Sequence, residues 1–389
     1  MKLFVISYKV GWRESGSDYV TVGGFPFQMQ AISNIFSETK VTLLLRPLPA
    51  PEGAQKLIGN KLTVFPLPEP VGTDLQRKLS LLTWLPHYFS SIWREIQKAD
   101  AVHAPVPGDI GFVGILIALL QRKPLFVRHC GTWGEAVTLS DKALLWLLEK
   151  IAGGRNVVLA TGGSEISPSS KNRHIHWIFS TSLTEQEMTD VSVAGTWNQG
   201  EALRLITVGR LFHDKNIAAV IQALVHLQKE YADVHLSIVG DGEQRSTLEK
   251  LAKQIGVADN VTFHGNVSHM EVLQLLSCSH LFVFPTRVKE GFPKALLEAM
   301  ACGLPVVAAN VSVIPYLIQD CGILLSDTDP ETVANAVLRL IHDEHGMQAM
   351  AVHARRTAQK YTLEQWQGQI RSRLESAWGS LGKANFESS

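Results

Sequence analysis

Cysteine is scarce in this chain: four in 389 residues, at Cys130, Cys278, Cys302 and Cys321, with no CxxC pair. That spacing excludes a disulfide frame or a zinc knuckle and fits a reducing compartment, so a cytoplasmic location is expected. An excess of either charge is missing too, since Lys plus Arg and Asp plus Glu number 36 each. No overall field recruits nucleic acid, and no basic cluster interleaved with aromatics replaces one. Nor is there an apolar run of the roughly twenty residues that a bilayer requires. The longest apolar helix candidate, "GDIGFVGILIALLQRKP" from Gly108, reads as core, and the N-terminal "MKLFVISYKVG" meets Lys9 too soon for a signal segment and reads as a buried strand. With no low-complexity tract, 46% hydrophobic and 19% charged residues mark a soluble globular protein. The length asks for two domains, each with its own core.

Short β-rich runs alternate with helical patterns from end to end, the pattern of parallel sheets with crossover helices. Strands are expected near Leu3–Ser7, Val41–Leu45, Leu62–Phe65, Ala101–His103, Leu125–His129 and Val157–Ala160, and again near Leu203–Val208, Val234–Val239, Val261–His264, Leu281–Phe284 and Val306–Ala309. Between them "STSLTEQEMTDVSVAGTWNQGE" is polar and lacks a sustained apolar period, as an interdomain connection would. The expected division is an N-terminal Rossmann-like domain over 1–185, a linker over 186–202 and a C-terminal domain over 203–361, with a helix at about 362–380 packing back on the first domain. The fold class is therefore α/β. After Leu203–Val208, Ile217, Val220, Ile221 and Leu224 form a core stripe at i, i+3, i+4 and i+7, with Asn216 as its N-cap. In open sheets of this kind, ligands sit outside the carboxyl ends of the strands, so the chemistry is sought in the loops there.

Two of those loops carry charge. In "VGRLFHDKN", Arg210 and Lys215 stand between a strand end at Gly209 and a helix start, where two cations and free amides suit a phosphate. Taken alone they also read as solvated loop charges. In "EGFPKALLEAMACGLP", Pro293 suits the first helical position, Gly303 the C′ position and Pro305 the stop, which bounds a helix over Pro293–Cys302. Glu290 lies in its approach and Glu298 about five residues inside, roughly 7.5 Å along the axis. Two acids so spaced bracket an extended ligand, with a central anion on the helix N-terminus and hydroxyl-bearing rings on either side. The bland alternative turns Glu298 to solvent, opposite Ala295, Ala299, Leu296 and Met300.

These elements resemble those of the retaining glycosyltransferases of family 4, whose GT-B architecture sets two Rossmann-like domains with parallel sheets face to face across a cleft. "GRLFHDKN" resembles the G-R-x(4)-K element and "EGFPKALLE" the E-x(7)-E element. The resemblance implies that Arg210 and Lys215 bind the donor diphosphate, that Glu290 contacts donor-sugar hydroxyls, and that Glu298 holds the ribose. It further places Gly209, Asp241, Gly265, Asn266, Val267, Gly291, Phe292, Pro293, Lys294 and Ala295 at the donor, with the Gly265–Val267 loop near the nucleobase. The match runs in order and spacing from about Leu203 to Asp343. In the N-terminal half it is looser: Gly23 and Gly24 resemble a glycine pair that lets backbone approach the donor where a Cβ would intrude, and His129 resembles an active-site histidine. By itself His129 also reads as a satisfied, partly buried side chain. Where many relatives have Asn-Gly after the last N-domain strand, this chain has Ser180–Thr181–Ser182–Leu183.

The resemblance implies transfer of a sugar from a nucleotide-diphosphate donor, UDP- or GDP-linked, to a hydroxyl of a glycan, lipid-linked or small-molecule acceptor, with retained configuration and no metal or other cofactor. A sugar-nucleotide epimerase or hydrolase on the same fold, or a non-catalytic sugar-nucleotide-binding protein, are the alternatives. Other motifs are discounted. "GDGEQR" has Arg245 where a dinucleotide fingerprint wants Gly or Ala, and Asp327 and Asp329 of "SDTDP" precede Pro330 as helix caps rather than metal ligands. Residues 75–98, with Trp84, Phe89, Trp93 and basic groups, are a candidate for peripheral contact with the inner membrane face, although Pro86 interrupts them and a packed crossover helix is the commoner outcome.

Overall fold

The computed structural model describes residues 1–14, 18–72, 74–136, 138–162 and 166–382. Its contacts divide the chain into two units, Met1–Ser182 with Leu363–Ser389, and Leu183–Thr362.

The first unit runs β1 (Lys2–Val5), β2 (Val10–Arg13), β3 (Tyr19–Thr21), α1 (Phe25–Ser33), β4 (Glu38–Leu45), β5 (Gln55–Lys56), β6 (Leu62–Pro68), α2 (Asp74–Lys98), β7 (Ala101–Val106), α3 (Asp109–Leu120), β8 (Leu125–Thr132), α4 (Leu139–Ile151), β9 (Asn156–Thr161) and β10 (Ile175–Trp177). Its sheet is ordered β10-β9-β8-β7-β1-β4-β2-β3-β5, with β6 on β4. The parallel strands thus read β6-β4-β1-β7-β8-β9-β10: the chain starts in the middle, winds one way, then returns and winds the other. All six residues of β7 are buried, as expected of a strand covered on both faces. On one face α2, α3 and α4 share a core that includes Trp84, Ile92, Ile96, Ile110, Ile115, Leu144 and Leu148. The late helix Leu363–Trp378 belongs to this unit. It buries Trp366, Ile370 and Leu374, sets the Trp366 ring 4.7 Å from the Arg128 guanidinium, and ties Gln367 Nε2 to the Ala31 carbonyl at 2.6 Å.

Two expectations for this unit change. The segment after β1, where no strand is expected, adds to the sheet: β2 runs parallel along β4 beyond the end of β1, pairing Val10 with Leu44, and β3 and β5 extend that edge antiparallel. And α2 runs through Pro86 without a break. Pro86 lies on the exposed side, so the carbonyl that loses its intrahelical partner there can be hydrated.

The second unit runs α5 (Glu185–Asp190), β11 (Leu203–Val208), α6 (Ile217–Leu227), β12 (Val234–Val239), α7 (Arg245–Gln254), β13 (Val261–Gly265), α8 (His269–Ser277), β14 (Leu281–Phe284), α9 (Lys294–Ala301), β15 (Val306–Ala309), α10 (Ile314–Leu317), β16 (Gly322–Leu325), α11 (Pro330–Ile341) and α12 (Glu344–Ala358); α13 is then Leu363–Trp378. Its strands are all parallel, in the order β13-β12-β11-β14-β15-β16. The α6 stripe of Ile217, Val220, Ile221 and Leu224 is buried against Leu205 and Ile238 of the sheet and Val333 and Val337 of α11. Each such side chain contributes about 1.5–3 kcal/mol of burial. Asn216 stands at the N-cap position, but in a left-handed conformation and without a side-chain capping bond; its Nδ2 donates instead to the Thr328 carbonyl at 2.7 Å. Residues 186–202, polar enough to suggest a bare connection, include most of α5 and bury Met188 and Trp197 in this unit. Among the described residues no helix is long and apolar enough to cross a membrane.

Candidate functional site

The strand order of the second unit reverses between β11 and β14, so its crevice opens at their carboxyl ends. The loops after β11, β12 and β13 are bonded to one another through the backbone. Gly209 N–H donates to Val239 O at 2.9 Å, Leu211 N–H to Asp241 O at 3.0 Å, Gln244 N–H to Leu211 O at 2.9 Å and Gly240 N–H to Gly265 O at 2.8 Å. Such closeness needs glycine at 240: its φ is +125°, and a Cβ there would fall 2.0 Å from the Gly209 oxygen. The "GDG" element thus serves close approach of loops. Gly209, Asp241 and Gly265 form one rim, followed by exposed Asn266 and half-buried Val267.

At the reversal itself the structure joins two of the expected residues. Lys215, on a short 3₁₀ turn, donates to Glu290 Oε1. The loop after β14 is drawn there by Arg287 N–H to Asp214 O at 2.9 Å and by Ser312 Oγ donating to the Glu290 carbonyl at 2.6 Å. Lys215 is buried, and a buried ammonium is tolerated only with a partner, which Glu290 supplies. Arg210 behaves differently. It is exposed, stacks 5.0 Å over the Phe212 ring, and forms no ion pair among the described residues. The loop-charge reading therefore holds for Arg210 in this structure and fails for Lys215.

Helix α9 follows this loop and is shorter than expected by a residue at each end, with Pro293 as N-cap and Cys302 as C-cap. Pro293 has no N–H to offer an anion, so the donors of its approach and first turn are Gly291, Phe292, Lys294 and Ala295. The helix ends as a Schellman motif, Leu304 N–H bonding Ala299 O at 3.1 Å and Gly303 N–H bonding Met300 O at 3.0 Å. Phe292 is buried, its ring 5.6 Å from that of Tyr361. Glu298 is buried too, so the solvent-facing alternative is excluded. Its Oε1 lies 3.5 Å from His269 Nδ1, and His269 Nε2 lies 3.2 Å from Glu187 Oε1. Sequence reasoning missed His269 and Glu187. The signal was the capping box Ser268–Glu271 directly after Val267, which sets His269 at the first turn of a helix.

In the first unit, Gly24 is the N-cap of α1 and Gly23 has φ +74°. Both follow β3. Nothing lies within 4 Å of a Cβ built at Gly23, so within the protein it is the positive φ, not crowding, that demands glycine. His129, on β8, is buried; its Nδ1 lies 3.1 Å from the Gly131 carbonyl and its ring meets Trp133 edge-on at 5.3 Å. Nδ1 must carry the proton to donate there, which leaves Nε2 as an acceptor. Burial lowers the His129 pKa below its usual value, against smaller opposing contributions from the Gly131 carbonyl and Asp141, so the ring is neutral at pH 7. Asp329 caps α11 by accepting from Glu331 and Thr332 N–H at 3.0 and 2.9 Å, as expected, whereas Asp327, expected to cap beside it, accepts from the N–H of its neighbour Thr328 at 2.5 Å, before the helix begins.

A family model for "Glycosyl transferases group 1" matches residues 196–360. Alpha-D-kanosaminyltransferase of Streptomyces kanamyceticus is 34% identical over 338 residues, 79% of this chain and 86% of that protein. A GDP-mannose-dependent alpha-(1-6)-phosphatidylinositol monomannoside mannosyltransferase of Mycolicibacterium smegmatis is 31% identical over 180 residues, 44% of this chain. An N-acetyl-alpha-D-glucosaminyl L-malate synthase of Bacillus anthracis is 33% identical over 173 residues. The matches to these last two span less than half of their length, 46% and 44%. Among solved structures, Anabaena Alr3699/HepE in complex with UDP-glucose aligns with a TM-score of 0.68 at 18% identity, over 97% of this chain and all of that one. WaaG, a glycosyltransferase involved in lipopolysaccharide biosynthesis, aligns at 0.65 and 16% over 97% of this chain and all of its own. At such identities these two establish the fold alone.

Proposed function

This chain belongs to the group 1 glycosyltransferases, with their GT-B fold, and from that premise we propose that it moves a sugar from a nucleotide-diphosphate donor to a hydroxyl acceptor. The donor is a UDP- or GDP-sugar. The acceptor is a glycan, a lipid-linked sugar or a small molecule; anomeric configuration is retained and no metal takes part.

One observation carries this reading: Lys215 and Glu290, from loops on either side of the strand-order reversal, meet where an open parallel sheet receives its ligand. Breaking the bond between sugar and diphosphate develops negative charge on the leaving phosphate and positive charge on the sugar ring. Lys215 takes the phosphate. Arg210, free to leave its stack on Phe212, joins it, and the amides at the start of α9 add their dipoles, a fixed electrostatic cradle that does what a metal ion does in other transferases. Phosphate oxygens compete with Glu290 for the ammonium, and Glu290 turns to the sugar hydroxyls. Glu298 accepts from the ribose, Gly265–Val267 borders the base, Gly23–Gly24 lies against donor phosphate and sugar, and neutral His129 accepts at Nε2 from a hydroxyl near the reacting carbon.

The test is a mass-spectrometric screen of a nucleotide-sugar panel with metals chelated, scoring both donor loss and new glycoside, followed by NMR of the anomeric centre. A new glycoside of retained configuration is expected. Donor loss without one identifies an epimerase or hydrolase, and binding without turnover a non-catalytic protein.

A second reading, peripheral membrane contact of a cytoplasmic protein, has its own observation. Packing in α2 leaves Leu79, Leu82 and Phe89 at 58%, 71% and 39% exposure, on a helix that also carries Lys78, Arg94 and Lys98. Co-flotation with anionic phosphatidylglycerol vesicles, reduced by Leu82→Glu, is the expected result; flotation unchanged by that substitution removes α2 from the reading.

A further inference from the structure

His269 stands where local electrostatics argue against a cation. It is the first residue of α8, at the positive end of the helix dipole, with Lys294 of α9 also acting against its charge. Yet it is set between two acids from different elements. Glu187 of α5 is held firmly: its Oε2 accepts from Thr184 N–H at 2.8 Å and from Thr184 Oγ at 2.9 Å in a capping box, leaving Oε1 aimed at His269 Nε2, 3.2 Å away. On the other side of the ring, Nδ1 faces Glu298 Oε1 at 3.5 Å. The ring is mostly buried, and burial by itself lowers its pKa; the ion pair with Glu187 and the charge of Glu298 outweigh that, and the net shift is upward from 6.5.

Resting on the function proposed above, we propose that His269, anchored by Glu187, is a positioning residue that aims the Glu298 carboxylate at the ribose hydroxyls of the nucleotide. The sequence Gly265–Val267, Ser268, His269 makes it the next side chain after the base loop and its cap, so α8 links base and ribose recognition in one rigid start. A charged donor at Nδ1 fixes one oxygen of Glu298. The carboxylate is then oriented before the nucleotide arrives, and less ordering remains to be done on binding. Neither Glu187 nor His269 touches the nucleotide in this scheme.

The experiment compares the binding of UDP and GDP with that of their 2′,3′-dideoxy counterparts by calorimetry, in wild type and in His269→Gln, His269→Arg, Glu187→Gln and Lys215→Ala. His269→Gln is expected to weaken the preferred ribonucleotide about tenfold, the scale of one charge-assisted hydrogen bond, while leaving the dideoxynucleotide nearly unchanged. Glu187→Gln moves the same way by less. His269→Arg, which keeps the charge, recovers part of the loss. In wild type the preference for the ribose form declines as pH rises through the raised pKa of His269, and in His269→Arg it does not. Equal weakening of both nucleotides by His269→Gln, or no weakening, overturns the inference. Lys215→Ala separates the two claims: it should weaken both nucleotides, and if it weakens neither, or if neither ribonucleotide binds wild type at all, the functional reading falls and takes this one with it.

Discussion

The two units wind their sheets in the same sense yet furnish the carboxyl ends of their strands with opposite chemistry. In the second unit the loops after β11 and β14 bring Lys215 to Glu290, and α9 presents Glu298 to His269 and Glu187, so the crevice is edged with paired, largely buried charge. In the first, the chain after β1 is diverted into β2 and β3 before Gly23, and the strand end further along holds His129, uncharged at neutral pH. One winding therefore supports two electrostatic settings, and under the function proposed above the charges would meet a diphosphate and the neutral acceptor a hydroxyl.

That contrast is open to test. Lys215→Ala and Glu290→Ala should each lower turnover on the order of 10²-fold or more, as expected for loss of a transition-state contact, with circular dichroism unchanged. Near-normal turnover in both would remove the second unit's reversal as the reaction centre. Leu224→Ala, in the α6 stripe, should cost about 2–5 kcal/mol of stability in thermal or urea unfolding of the second unit, and a cost under 1 kcal/mol would mean that this core is not close-packed. His129→Ala should lower kcat on the order of 10-fold or more with donor affinity nearly unchanged; an equal loss of donor affinity would assign it to the donor rather than the acceptor.

Arg210→Ala should cost less, about 10-fold in donor affinity, because its exposed side chain must leave Phe212 to reach the phosphate. A loss as large as that of Lys215→Ala would show that the stacked position is not the working one. The smallest effect is a matter of pH. Burial first, then the charge of Arg128, lower the pKa of His103 from 6.5 to about 3. Because the folded state resists protonation, the stability this group contributes is complete above pH 6.5 and falls on acidification toward 3, on the order of 1 kcal/mol per pH unit. His103→Phe should flatten the dependence of the urea midpoint between pH 7 and 5 by about one proton; an unchanged slope would contradict it.

How much of this was legible in advance depended on range. Strands β11, β12, β14 and β15 coincide with their expected bounds, because β14 and β15 are short, wholly apolar runs and β11 and β12 are apolar runs broken only by single polar residues, all between turn signals. Strands β2, β3, β5, β10 and β16 were missed, having only two to four residues each and, in most, partly exposed side chains, too short to show a period. Pro86 misled because its cost depends on which face of α2 meets water, a fact of packing. At the site, residue types and helix bounds could be read directly from "HDKN" and "EGFPKALLE". The stacking of Arg210 and the burial of Glu298 could not.

Alternation of apolar runs, glycine and proline punctuation and the two charged elements are local properties, and from them the α/β class and the family resemblance follow without coordinates. What the tertiary structure alone decided is partnership. Lys215 reaches Glu290 across 75 residues of sequence because β11 and β14 are neighbours in the sheet, and His269 meets Glu187 and Glu298 because α5, α8 and α9 come together around it. Strand order sets those meetings, and strand order is a property of the whole packed core rather than of any segment within it.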